Sequence, residues 1–234
     1  MLIGILTSSE SAQTKFIIIV AYITAAMLGI SLHEVAHGYV AKLNGDDTAK
    51  MMGRLTLNPA KHFDLVGFLM FVIVGFGWAK PVPVNPNNFK NFKKGVITTS
   101  LAGVFANLIA GFVNFGLMAA TVGIAEAVGV NSQFSEVVFK LFLYFFLYGF
   151  IINITLIAFN ILPVYPLDGF NVLAMLTKPG NKVVEFFRRY GYFILLGLLL
   201  IGSIIPQLDI IGMYFAAFEK AIMRLFSAAL GGII

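Results

Sequence analysis

The sequence contains no cysteine, which excludes a disulfide framework and any thiolate chemistry. Charge is scarce as well: only 12% of the residues are Asp, Glu, Lys or Arg, about half of the roughly 25% carried by an ordinary soluble domain. With 59% hydrophobic residues and a mean hydropathy of +0.91, this excludes a soluble globular domain and predicts an all-α polytopic membrane protein. Acidic residues are outnumbered by basic ones, 11 to 16. The Lys and Arg lie in segments between apolar runs, so the positive-inside rule accounts for them and no nucleic-acid partner is expected. No basic n-region precedes the first apolar residues, so a cleaved signal peptide is not expected. Internal repeats and a separate polar domain are also missing, and residues 1–234 read as a single membrane domain.

What is present is a concentration of ionisable groups inside an apolar run. His33-Glu34-Val35-Ala36-His37 is an H-E-x-x-H motif. On a helix the two histidines stand one turn apart on one face, where both imidazoles reach one metal ion. Glu34, beside them, is placed to take a proton from a water at that metal. The run from about Phe16 to Leu43 spans roughly 42 Å as a helix, enough to cross a hydrocarbon core of about 30 Å. Charged side chains at such depth cost about 2.5–3.5 kcal/mol each on insertion scales, so chance is a poor account of three ionisable groups within five residues. Gly29, His33 and His37 form a small-and-polar stripe that should face protein.

Along the chain, Asn44-Gly45 marks the end of this first helix. Asp46 and Asp47, beside Lys42 and Lys50, read as solvated loop charges. Met51 to Leu57 reads as a short strand, and Asn58-Pro59 as a turn. Phe63 to Trp78 is apolar but only about 16 residues long, carries Gly67, Gly75 and Gly77, and runs into Lys80-Pro81-Val82-Pro83-Val84-Asn85-Pro86, which cannot be helical. Thr98 to about Val122 is a membrane helix with Gly103, Asn107 and Gly111 at four-residue spacing. Another runs from about Ser135 to Leu162, with Gly149, Asn153 and Asn160 close to one face. Interhelical hydrogen bonds, worth about 0.6–2 kcal/mol, account for these asparagines as well as catalysis does. Lys178, Lys182, Arg188 and Arg189 form a second basic loop. Two apolar segments, about Tyr192 to Ile205 and Leu208 to Leu225, then form a terminal hairpin. The catalytic core is expected over about residues 16–176 and the C-terminal helices over about 192–226.

A catalytic zinc has three protein ligands and an open position, so two histidines leave one ligand to find. Val40 and Leu43 occupy the positions at which the extended metalloprotease motif would supply another His. Among the other candidates, Glu126, Glu136, His62 and Asp64 included, Asp168 stands out. It follows a polar-striped membrane helix and sits between Pro166 and Gly169, with His62 and Asp64 as the second choice. Topology provides a test. The end of the first helix and Asp168 meet only if one full crossing lies between their two helices. Phe63 to Trp78 must therefore dip in and return, which also keeps Lys61, Lys80, Lys90, Lys93 and Lys94 on one side.

These segments together resemble the site-2 protease family of intramembrane zinc metalloproteases. The likeness rests on His33 to His37, Gly53-Arg54-Leu55-Thr56-Leu57-Asn58-Pro59 with Asp64 and Gly67, Trp78 to Pro86, and Phe159-Asn160-Ile161-Leu162-Pro163 through Leu167-Asp168-Gly169. The resemblance implies that His33, His37 and Asp168 bind Zn2+ and that Glu34 is the catalytic acid/base. It implies a three-helix core that cleaves membrane-spanning protein substrates in a prokaryotic cell membrane, near the cytoplasmic side. The family often has Ala-Gly-Pro ahead of the asparagine of the next helix, where this chain has Ala102-Gly103-Val104. No PDZ or CBS appendage is expected. Asn107 and Asn160 are candidate oxyanion donors or substrate contacts. The Met51 to Leu57 strand or the Phe63 to Pro86 loop could hold an unwound substrate by strand addition. A different class, a metal-binding transporter or sensor, would use the same ligands but would set Glu34 no task.

Overall fold

The computed structural model describes residues 2–74 and 77–229, and among them the chain is helical with no strand. A short helix α1 (Leu2–Thr7) leads to α2 (Ala12–Leu43). The latter starts earlier than its apolar run because the Ser11 side chain accepts the Thr14 N–H, satisfying one of the orphan donors of a helix start. It stops where Gly45 takes a φ of +111°, a value that favours glycine.

Met51 to Leu57 is not a strand. Helix α3 (Thr48–Met51) occupies its start, and the N–H groups of Met52, Gly53 and Arg54 are bound by the carbonyls of Thr48, Lys50 and Ala49. With these donors spent within the local turn, the first half of the segment has no free edge to pair. Helix α4 (Leu65–Val74) is ten residues long, about 15 Å and too short to cross. The Lys80 N–H donates to the His62 carbonyl at 2.9 Å, so the segment ends where it began. Its legs touch: a Cβ on Gly67 would lie 2.0 Å from the Trp78 carbonyl oxygen. Gly75 lies outside the described residues. Phe71 of α4 stacks on Tyr22 of α2 with ring centroids 5.0 Å apart, which backs the excursion with protein.

Helices α5 (Phe92–Val128) and α6 (Gln133–Asn160) complete the core, and with α2 they are, among the described residues, the three helices long and apolar enough to cross a membrane. Register gives their directions. Lys140 meets Thr14, Tyr148 packs on Tyr22 and Asn153 lies against Gly29, so α6 runs parallel to α2. Thr98 meets Asn44, Gly103 lies against His33 and Asn107 bonds Gly29, so α5 runs opposite. One full crossing therefore separates the two parallel helices, as the charge distribution requires.

A turn brings α6 to α7 (Asp168–Leu176), and α8 (Lys182–Ile204) and α9 (Ile210–Ala229) form the C-terminal hairpin. The second basic loop is shorter than its sequence suggests. The Asn181 side chain accepts the Val183 and Val184 N–H groups and starts α8 early, so Lys182, Arg188 and Arg189 ride on the helix. The Arg188 guanidinium lies 5.8 Å from the Phe170 ring centroid, a cation–π contact that ties α8 to α7. On α6, α9 is held by Tyr214, whose hydroxyl donates to the Ala158 carbonyl at 3.0 Å. Its Phe226 packs with Phe115, Phe150 and Ile154.

Candidate metal centre

His33 and His37 project from one face of α2 with ring centroids 4.5 Å apart. Asp168 opens α7, and its Oδ2 lies 3.2 Å from the Nε2 of both. Two glycines permit this approach. A Cβ on Gly103 would stand 2.4 Å from His33 Cε1, and one on Gly169 would stand 2.3 Å from the Ile161 carbonyl oxygen. The first lays the imidazole on the backbone of α5, and the second lets α7 turn back against the end of α6.

Each imidazole is held from behind. His37 Nδ1 lies 2.7 Å from the Thr99 carbonyl oxygen and His33 Nδ1 lies 2.5 Å from Asn107 Oδ1. A carbonyl oxygen only accepts, so each Nδ1 carries the hydrogen and, in the neutral ring that binds a metal, each Nε2 turns a lone pair toward the carboxylate. The three ligand atoms lie within 4.8 Å of one another. Three potential ligand atoms thus converge from two helices, an arrangement that suits a cation. The donor set, two imidazoles and one carboxylate, fits zinc with an open position.

Glu34 points from the adjacent face of α2. Its Oε2 accepts the Val82 N–H at 2.7 Å. Proline has no N–H, so within Pro81-Val82-Pro83 this is the single backbone donor, and it is directed at the carboxylate. A cavity of about 60 Å³ opens between α2 and the α4 segment, lined by Met27, Ile30, Ser31, His62, Phe68 and Trp78 among others. It contains none of the three clustered ligands.

The other candidates lie apart. His62 is buried with Nε2 against the Thr56 carbonyl at 2.7 Å, and Asp64 Oδ1 accepts the Gly67 N–H at the start of α4. Glu136 pairs with Lys140 at 2.7 Å. Asp46 is not a solvated loop charge: it is 0% exposed. It accepts from the Thr48 N–H and hydroxyl, the Asn85 N–H and the Asn88 amide. Burial pushes its carboxyl up, but these donors outweigh burial and hold it below its ordinary value. Asp47 is exposed as expected. Asn107 is fully buried and spends both amide hydrogens, on the Gly29 carbonyl and on Asn153 Oδ1. Asn160, half-buried at the end of α6, donates to the Leu156 carbonyl one turn back. Sequence reasoning missed the Thr99 carbonyl and the Val82 N–H. Thr99 stands four residues before Gly103 and extends the stripe of Gly103, Asn107 and Gly111 by one step, a signal open to a closer reading. A backbone donor such as Val82 leaves no mark on residue type.

A helix bearing H-E-x-x-H inside a membrane bundle, met by a carboxylate from just beyond the turn that follows a parallel helix, has the architecture of a membrane-embedded metallohydrolase. The profile of peptidase family M50, the site-2 protease family, matches residues 21–201, and the chain belongs to that family. Over 209 residues it is 37% identical to "Putative zinc metalloprotease YwhC" of Bacillus subtilis, covering 86% of this chain and 89% of that one. To "Putative zinc metalloprotease Rip2" of Mycolicibacterium smegmatis it is 27% identical over 191 residues, 79% of this chain and 67% of the other. No solved structure matches it. The protein is a membrane zinc metalloprotease.

Proposed function

We propose that this protease hydrolyses peptide bonds within the membrane-spanning segments of anchored protein substrates, with His33, His37 and Asp168 holding the zinc and Glu34 as acid/base. The observation that carries the reading is the convergence of three ligand atoms, two imidazole nitrogens and a carboxylate oxygen, beside Glu34. His33 lies ten residues, or about 15 Å, before the end of a membrane-length helix, a depth that suits a bond inside a span. When bound, zinc supplies a Lewis acid that polarises the scissile carbonyl and lowers the pKa of water. Glu34 takes a proton from the attacking water and returns it to the leaving amide nitrogen, while Val82 keeps its carboxylate oriented. Asn107 has no amide hydrogen left for an oxyanion. Asn160 has one, and it is the donor we assign to that task.

A helical substrate hides its carbonyls in intrahelical bonds, so cleavage requires local unwinding near Gly, Pro or polar residues. With Met51 to Arg54 closed into a local turn, residues 77–86 are the place for the unwound segment. The active site faces the cytoplasm on this reading. Lys42, Lys50, Lys61, Lys90, Lys93 and Lys94 flank the ends of α2 and α5 nearest His37, in agreement with the positive-inside rule.

The test is zinc content and cleavage of a panel of single-span substrates by purified wild type and Glu34→Gln in detergent. Zinc retained in both, with cleavage reduced about 10²–10⁴-fold in the variant, is the expected result. Equal behaviour of the two proteins would overturn the assignment and favour the metal-binding transporter or sensor.

A further inference from the structure

Asn153 belongs to α6, a helix that carries none of the three clustered ligands, yet it is only 3% exposed in the middle of the core. Its Nδ2 lies 2.6 Å from the Gly149 carbonyl, and its Oδ1 lies 2.6 Å from Asn107 Nδ2. Asn107 Nδ2 also lies 3.1 Å from the Gly29 carbonyl, and Asn107 Oδ1 lies 2.5 Å from His33 Nδ1. The direction of this chain is not free. An amide can be flipped and an imidazole can change tautomer, but a backbone carbonyl only accepts. Gly149 therefore orients the Asn153 amide, which presents its oxygen to Asn107. With the Gly29 carbonyl, that oxygen draws the Asn107 NH2 away from His33 and leaves Oδ1 facing Nδ1.

We propose that Asn107 and Asn153 are positioning residues that act as one relay: two backbone carbonyls fix its polarity, and its output is His33 with the hydrogen on Nδ1 and the lone pair on Nε2. The relay rests on the reading of His33 as a zinc ligand. His37 needs no such device, because its Nδ1 meets a backbone carbonyl directly. Reversal of Asn107 would set its NH2 against the hydrogen on Nδ1, so His33 would have to move that hydrogen to the ligand nitrogen.

The test is zinc affinity, by competition with a chromophoric chelator, in purified wild type, Asn107→Leu, Asn107→Asp, Asn153→Leu and His33→Ala. The visible absorption of the Co2+-substituted proteins is recorded alongside. Asn107→Leu removes the acceptor at nearly constant shape and should weaken zinc about 10–100-fold, the usual effect of losing a partner behind a metal ligand. Asn107→Asp keeps the acceptor and should bind zinc within about threefold of wild type, well short of that loss. Asn153→Leu leaves the Gly29 carbonyl in place and should fall between them, with an altered cobalt spectrum. A role in packing alone would lower thermal stability in both Leu variants and leave affinity and spectrum unchanged, which would overturn the inference. So would an Asn107→Asp protein as weak as Asn107→Leu. If Asn107→Leu does not fold, Asn153→Leu decides: wild-type affinity and spectrum overturn the relay, and a shift in both supports it. His33→Ala separates the two levels. Zinc retained there refutes the ligand assignment itself, whereas zinc lost there but kept by both Leu variants refutes the relay alone.

Discussion

Asp46 and Asp168 are both carboxylates at the end of an apolar segment, and both are drawn into the protein, but their surroundings are opposite. Asp46 is met by donors from Thr48, Asn85 and Asn88. Asp168 is met by two imidazole nitrogens whose hydrogens are engaged on the far side of each ring. A carboxylate filled with N–H and O–H groups is complete and serves the fold. One that faces imidazole nitrogens whose Nδ1 hydrogens are engaged elsewhere is suited to sharing a cation with them. Burial cannot separate the two roles, whereas the identity of the facing atoms does.

The comparison is broken most severely at Asp168. Asp168→Asn places an amide between two lone pairs and removes the charge, so zinc content and proteolysis should fall by more than the roughly 100-fold seen on losing an outer partner. Circular dichroism should be unchanged, and a variant that keeps both zinc and activity would show that the carboxylate is no ligand. Gly103→Ala tests the space behind His33. The added Cβ must displace the imidazole or α5, at a cost of about 1–3 kcal/mol, read as a lower thermal midpoint together with weaker zinc binding. The same change at Gly116, whose Cβ would meet nothing within 4 Å, should do neither.

Asp46→Asn should behave in the opposite way to Asp168→Asn, with zinc per chain unchanged and stability lower by about 1–3 kcal/mol, as one amide hydrogen is turned on groups that are themselves donors. The smallest effect is its pH dependence. The folded-state carboxyl lies below its unfolded value of about 3.9, so its contribution is complete above that value and is lost as pH falls through the lower folded one. Wild type should therefore lose more stability than Asp46→Asn on acidification below about pH 4, and parallel curves in chemical denaturation would count against a stabilising role for the donors around Asp46.

Much of the fold was legible because a bilayer leaves few choices. Length and hydropathy mark α2, α5 and α6, and the need for one crossing between the ends of α2 and α6 singles out Phe63 to Trp78 as the segment that turns back. Helix starts were less legible, since Ser11 and Asn181 extend α2 and α8 through polar residues that hydropathy discounts. The Met51 to Leu57 strand failed because the donors of Met52 to Arg54 close a local turn. Asp46 read as solvated because neighbouring lysines are visible in the sequence and hydrogen-bond donors about 40 residues away are not.

By itself the sequence determined the chemistry available: two imidazoles one helical turn apart, a carboxylate beside them, and another acid after a polar-striped span. These follow from residue type and helical period, which are local. Only the tertiary structure decided what faces each polar atom: the Thr99 carbonyl behind His37, the Val82 N–H on Glu34, and the Asn107–Asn153 chain behind His33. Those pairings depend on the register of helices distant in sequence, and a backbone donor or acceptor looks the same in every residue until the fold gives it a partner.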